Sequence, residues 1–218
     1  ITFKGSNNPI DFMNKLVSLK DNYNNGDFFY TGLFEDPIIY HQENLKRDIK
    51  NRIPLNDLDK KVSEIIELIH TTINGQLIHN ETEDRYCYKD NNNFTYDLNN
   101  VSGGIKIFTF LEEILLNNNI KNKNIIIFDE PETNLHPEWQ IFLSEIFVKL
   151  YEIGFKIMLI THSPYLIQAM KFYTKNIKSN EIHFYIANKE GNQSVLSDCT
   201  KNIDPLFKKL TLPLNSIM

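Results

Sequence analysis

The sequence predicts an α/β fold whose core is a parallel sheet flanked by helices, with small antiparallel β pieces set ahead of it. Two apolar runs predict the sheet: residues 125–128 (Ile-Ile-Ile-Phe) and 155–160 (Phe-Lys-Ile-Met-Leu-Ile), the second broken only by Lys156. Strands so continuously apolar are buried on both faces, as in a parallel sheet. Between them a helical stretch over 137–153 supplies the crossover that parallel neighbours need, expected to be right-handed. Three short aromatic or β-branched pieces, at 76–79, 85–88 and 94–98, are each bounded by turn residues and predict the antiparallel unit.

Taken in order, residues 1–56 give the weakest pattern. Phe12, Leu16 and Leu19 line a short helix face, residues 22–26 form a turn, and 28–30 and 38–40 are strand-like. The charged stretch 43–52 is helical, and its Lys46, Arg47, Lys50 and Arg52 form a solvated face or a contact for nucleic acid or a partner. Val62, Ile65, Ile66, Ile69 and Ile73 then fall at helical spacing, and Asn74-Gly75 ends that helix. Over 106–117 a helix places Ile107, Phe110, Leu111 and Ile114 on one face. The 137–153 helix has Pro137 in its first turn and Gly154 just past its end. Residues 181–187 and 193–199 read as a hairpin around Gly191, and 205–210 as a short closing helix. The asparagine runs at 91–93 and 117–119 are solvated turns.

Composition excludes several classes. The 218 residues are 41% apolar and 23% charged, ordinary for a globular protein. No run approaches the ~18 apolar residues of a membrane span, so no membrane partner is expected. Lysine and arginine (23) against aspartate and glutamate (28) leave a net charge of −5, which gives no support to a general nucleic-acid footprint. Cys87 and Cys199 are too few for a disulfide framework and read as buried or idle thiols of a reducing compartment, hence a cytoplasmic location.

Ligands of such sheets bind beyond the carboxyl ends of the strands. Here the two strands end at Asp129-Glu130 and at Thr161-His162. Adjacent carboxylates repel unless a cation or a proton separates their roles. Asp129 can hold Mg²⁺ directly or through a water, since hard cations prefer oxygen, and Glu130 can polarise a water for attack on a phosphoryl group. The bland alternative is a sheet edge with solvated acids. His162 can hydrogen-bond a terminal phosphate or the attacking water, against the alternative of an ordinary half-buried histidine. Ser102, Gly103 and Gly104 precede a helix, where backbone N–H groups and partial positive charge favour an anion. The same three residues also read as a turn and N-cap. Specificity comes from the order: Ser-Gly-Gly, helix, apolar strand, Asp-Glu-Pro, helix, apolar strand, Thr-His-Ser.

That order resembles the C-terminal lobe of an ABC/SMC-type P-loop NTPase head, in the SMC/RecF/OLD-like branch. The string Asp-Glu-Pro-Glu-Thr-Asn-Leu-His-Pro-Glu-Trp-Gln (129–140), with Thr-His-Ser-Pro (161–164), resembles the AAA-type ATPases of bacterial anti-phage systems, the Septu and retron-linked ATPases among them. The resemblance covers about residues 74–170 and extends towards the end of the chain. It implies that Asp129 is the Walker B aspartate on Mg²⁺, Glu130 the general base and His162 the switch histidine. It also implies that Ser102, Gly103 and Gly104 form a signature motif touching the γ-phosphate of ATP held by the opposite subunit, and that residues 133–137 are the D-loop at the dimer seam. The signature departs from the transporter pattern: Val-Ser-Gly-Gly-Ile-Lys stands in place of Leu-Ser-Gly-Gly-Gln. Lys106 adds charge towards phosphate, or else is a solvated first-turn lysine.

The expected division is a family-variable helical lead-in over 1–73 and the ATPase lobe over 74–218. The expected function is an ATP-hydrolysing head that forms a homodimer around nucleotide, as sensor or motor of an anti-phage complex. An effector such as a nuclease, and nucleic acid, are the further partners to expect. No Gly-x-x-x-x-Gly-Lys-Ser/Thr occurs in the 218 residues, and the chain opens on Ile1. An N-terminal lobe carried elsewhere, or a degenerate ATPase, would each account for this; the intact Asp-Glu and histidine favour the first. The rival classes are a non-catalytic scaffold of the same fold and a metal-dependent nuclease built on Asp129, Glu130 and Glu132. Glu132 and Glu138 either extend the acidic site or, for Glu138, serve the helix dipole. His136 is expected to shape the turn, and Trp139 to pack against the core or a subunit seam.

Overall fold

The computed structural model describes residues 28–31, 53–55, 58–83, 85–116, 125–177, 181–191 and 193–215. The short helix expected around Phe12, the turn at 22–26, the strand at 38–40, the charged helix with its basic cluster at 43–52 and the asparagine turn at 117–119 lie outside them.

Strand β1 (Phe28–Thr31) is followed by helix α1 (Lys60–Ile73), which buries Ile65, Ile66, Ile69 and Ile73. Asp59 caps α1 by accepting a hydrogen bond from the Lys61 N–H at 2.9 Å. Asn74 ends it in the left-handed conformation (φ 54°, ψ 43°), and strand β2 (Gly75–Asn80) starts at the next residue. So abrupt a change needs glycine at 75, where a Cβ would lie 2.5 Å from the Lys89 carbonyl oxygen. Strands β3 (Arg85–Asp90) and β4 (Thr95–Asp97) complete the expected antiparallel unit in the order β2-β3-β4, with Leu77 opposite Tyr88 and Cys87 opposite Asp97.

Helix α2 (Gly103–Leu116) begins three residues before the expected start, so Gly103 and Gly104 lie inside its first turn. Nor is it one-sided: everything from Phe108 to Leu116 is buried, Glu112 and Glu113 included. Both oxygens of Glu112 and one of Glu113 have donors there. Glu112 accepts from His70 Nε2 at 2.9 Å and from the Leu77 N–H at 3.0 Å, while the Tyr86 hydroxyl donates to Glu113 at 3.4 Å. Among the described residues Leu77 belongs to an edge strand of its sheet, so Glu112 satisfies a backbone donor that no neighbouring strand there meets.

The parallel sheet runs β1, β5 (Ile125–Asp129), β6 (Lys156–Ile160), with β5 at its centre. Helix α3 (Pro137–Glu152) joins β5 to β6, starting at Pro137 as expected, with Ile153 as C-cap and Gly154 (φ 106°) beyond. Ile126, Ile127 and Phe128 are fully buried, as a central strand requires. The same expectation for the second strand is corrected: Lys156 and Met158 of β6 are exposed. Lys156 and Met158 share one face of β6, so that face is open, and among the described residues β6 pairs with β5 alone. Helix α4 (Pro164–Tyr173), which the apolar runs did not single out, packs along α3. The hairpin of β7 (Tyr185–Glu190) and β8 (Gln193–Asp198), turned at Gly191 (φ 61°), and helix α5 (Asp204–Asn215) close a second apolar cluster around Ile167, Ile186, Ile203 and Leu206. No helix among the described residues is long and apolar enough to cross a membrane. Both cysteines are buried free thiols, and burial pushes the Cys87 thiol up, away from the reactive thiolate.

Replacing Glu112 with leucine strands the buried Leu77 N–H. It should lower unfolding free energy by about 1–3 kcal/mol in chemical denaturation, and Glu112→Gln, which keeps an acceptor, by less.

Candidate functional site

The parallel register sets Asp129 opposite Ile160, so the carboxyl ends of β5 and β6 stand side by side. The chain leaves β5 through a left-handed residue, Glu130 (φ 48°), whose N–H still donates to the Ile160 carbonyl at 2.8 Å. A non-glycine residue in this region carries strain and marks a position the surroundings over-determine. Its carboxylate lies 3.1 Å from His162 Nε2. The structure therefore brings Asp129, Glu130 and His162 to one strand end.

Glu132 turns away from a shared acidic patch. Its Oε1 accepts from the Thr161 hydroxyl at 2.6 Å, the His162 N–H at 2.8 Å and the Ser163 N–H at 3.0 Å. Its Oε2 is buried with no hydrogen-bond partner among the described residues. Ser163 is the N-cap of α4: its hydroxyl accepts from the Leu166 N–H at 3.2 Å and donates to the Gln140 side-chain oxygen. The Gln140 amide in turn donates to the Leu135 carbonyl at 3.0 Å. Glu132 and Gln140 thus fasten the loop bearing His162 to the turn after β5. Ser163 was legible from Ser-Pro at a helix start. Gln140 and Ser144 offered a fainter signal, as polar residues on the buried face of α3 beside Leu143 and Phe147.

Ser102, Gly103 and Gly104 form a second group. Ser102 caps α2, its carbonyl accepting from the Lys106 N–H at 3.1 Å and its hydroxyl from the Ile105 N–H at 3.4 Å. A Cβ on Gly103 would lie 3.6 Å from Asn134 Cβ, but one on Gly104 would come within 2.7 Å of the Trp139 ring and 2.8 Å of a Leu135 methyl. Trp139 meets Phe108 edge to face at 5.6 Å. Gly104 is therefore required by packing of the α2 start on the 133–137 turn. In that turn Asn134 is left-handed (φ 64°) and His136 caps α3 by accepting from the Glu138 N–H at 3.3 Å. Lys106 is half-buried in the first turn of α2.

The donor set fits Mg²⁺. Asp129 and Glu130 offer hard oxygens, and among the described residues no group of three or more histidine, cysteine or acidic side chains could cage a metal. The start of α2 fits an anion, with no acidic residue in its first turn.

This arrangement is an SMC-head-like α/β fold, of the kind found in a lobe of a P-loop NTPase. The Smc head domain with a coiled coil and joint from Pyrococcus yayanosii aligns with 94% of this chain and 33% of its own at a TM-score of 0.51 and 15% identity. The SMC head domain from Thermotoga maritima aligns with 84% of this chain and 60% of its own (TM-score 0.48, 12% identity). Residues 10–167 match the model of the AAA ATPase domain, and the chain belongs to that family. Over 84 residues it is 34% identical to the probable ABC transporter ATP-binding protein p29 of Mesomycoplasma hyorhinis, a match taking in 38% of this chain and 33% of that protein. The chain thus spans about a third of the length of that curated relative.

Two stability measurements check the local geometry. Gly104→Ala should cost about 1–3 kcal/mol through the forced shift of Trp139, whereas Gly103→Ala, with room for its methyl, should leave stability unchanged or slightly raised. At position 130 the usual order should invert, Glu130→Gly being more stable than Glu130→Ala by about 1 kcal/mol because φ is positive.

Proposed function

We propose that this chain is part of an ATP-hydrolysing head that closes as a homodimer around nucleotide. The observation that carries the reading is the 3.1 Å contact between Glu130 and His162 at the adjoining ends of two parallel strands. Membership of the AAA ATPase domain family supports it. Residues 74–218 act as the ATPase lobe, with 1–73 as lead-in.

Glu130 is the general base. It takes the proton of a water that attacks the γ-phosphorus of ATP while the bond to the β-phosphate oxygen breaks. His162, whose Nε2 lies 3.1 Å from the Glu130 carboxylate, presents its imidazole to the attacking water or to the terminal phosphate. Asp129 holds Mg²⁺, which when bound neutralises charge on the phosphate oxygens. Ser102, Gly103 and Gly104 face the γ-phosphate of the ATP carried by the opposite subunit, through the serine hydroxyl and the glycine N–H groups at the start of α2, and Lys106 adds charge towards it. The phosphate loop comes from a lobe outside these residues. A sensor or motor role in a cytoplasmic anti-phage complex, with a nuclease effector or nucleic acid as partner, rests on the likeness of residues 129–140 to such ATPases.

Glu130→Gln should lower ATP turnover by the full protein about 10²–10⁴-fold while nucleotide binding persists, and should accumulate ATP-bound dimers in light scattering. Turnover that survives in Glu130→Gln overturns the reading. ATP-induced dimers without turnover in the wild type would make the chain a scaffold, and ATP-independent, metal-dependent cleavage of DNA or RNA would make it a nuclease.

A further inference from the structure

His162 has an imidazole 76% exposed to solvent, so packing alone does not hold it 3.1 Å from Glu130. Its position is set by its backbone, and that backbone is held by Glu132. One carboxylate oxygen collects three donors from consecutive residues, Thr161 Oγ1, His162 N and Ser163 N, at 2.6, 2.8 and 3.0 Å. An anion accepting several N–H and O–H groups makes stronger bonds than a neutral acceptor, and here the whole set converges on one three-residue loop. The other oxygen is buried and accepts nothing among the described residues, so the carboxylate is oriented for that loop and not for solvent. By its own backbone Glu132 is also part of the turn that begins at Glu130: the Thr133 N–H donates to the Glu130 carbonyl at 3.0 Å, and the Leu135 N–H to the Glu132 carbonyl at 2.9 Å. The same residue is thereby anchored beside the acid and clasps the loop of the histidine.

We propose that Glu132 is a positioning residue for hydrolysis, holding His162 in register with Glu130 by gathering the N–H and O–H groups of residues 161–163 on one oxygen. The inference rests on the ATPase reading for its kinetic half, and on the loop geometry alone for its structural half. The side chain touches neither nucleotide nor water in this role; it acts through His162.

The test uses the full protein with Glu132→Ala, Glu132→Gln and Thr161→Val, measuring ATP turnover together with amide hydrogen exchange. Glu132→Ala should lower kcat about 100-fold, the scale of a small misplacement of a reacting group, with KM for ATP changed by less than about 3-fold. Glu132→Gln, which retains an acceptor oxygen, should recover to within about 10-fold of the wild type, and Thr161→Val should fall between the two. Exchange protection of the His162 and Ser163 amides should be lost in Glu132→Ala and kept in Glu132→Gln, with the later amides of α4 unchanged. That last readout also shows that the variant is folded. A kcat in Glu132→Ala within about 2-fold of the wild type, or a loss seen wholly in KM, overturns the proposal. Unchanged protection at 162 and 163 overturns it as well. Should the wild type turn over no ATP, the ATPase reading falls by itself, and the exchange data still decide whether Glu132 holds the loop.

Discussion

The pairing of β5 with β6 in parallel register is the constraint on which the site depends. Because Asp129 lies opposite Ile160, an acid pair and a histidine that are far apart in the chain leave the sheet side by side. The burial of Ile126, Ile127 and Phe128 on both faces seats β5 at the centre of the sheet. The hydrogen bond from the Glu130 N–H to the Ile160 carbonyl carries the pairing one residue beyond the strand. It ties the left-handed turn at Glu130 to the end of the neighbouring strand and so aims the carboxylate towards His162.

Three acids within four residues would ordinarily be costly. The structure resolves this by giving them different environments. Glu130 faces a histidine, Glu132 faces three hydrogen-bond donors, and Asp129 stays in the strand register opposite Ile160. Separate environments of this kind are what the proposed division into a base and a metal ligand requires. The polar bonds of Gln140 and Ser163 extend the same network into the start of α3 and α4, so the loops move, if they move, as a linked pair.

Much of this was legible in the residues. Continuous apolar runs located β5 and the core of β6, the Ile65-to-Ile73 spacing located α1, and Pro137 and Gly154 bracketed α3. Asp129, Glu130 and His162 followed from their places after those runs. What was hidden depends on tertiary contact. The open face of β6 reflects what packs against it, which its own composition does not encode. The start of α2 at Gly103 was masked by glycine's poor helix propensity, overridden once the Ser102 cap and the Trp139 contact are formed. The partner of Glu132 was invisible because it lies about thirty residues away across a crossover, where local pattern carries no information.

The contact between Gly104 and Trp139 has a consequence for how the Ser-Gly-Gly string is interpreted among relatives. Two separate demands fall on one glycine: room for a large indole in its own subunit, and exposure of backbone to an anion in the proposed assembly. A descendant that abandoned nucleotide chemistry altogether would still be obliged to keep glycine there for as long as the indole stayed. The informative substitution is therefore a paired one, in which a smaller residue at 139 releases 104. Persistence of the glycine beside a retained tryptophan speaks for packing, and persistence after the tryptophan has gone speaks for phosphate.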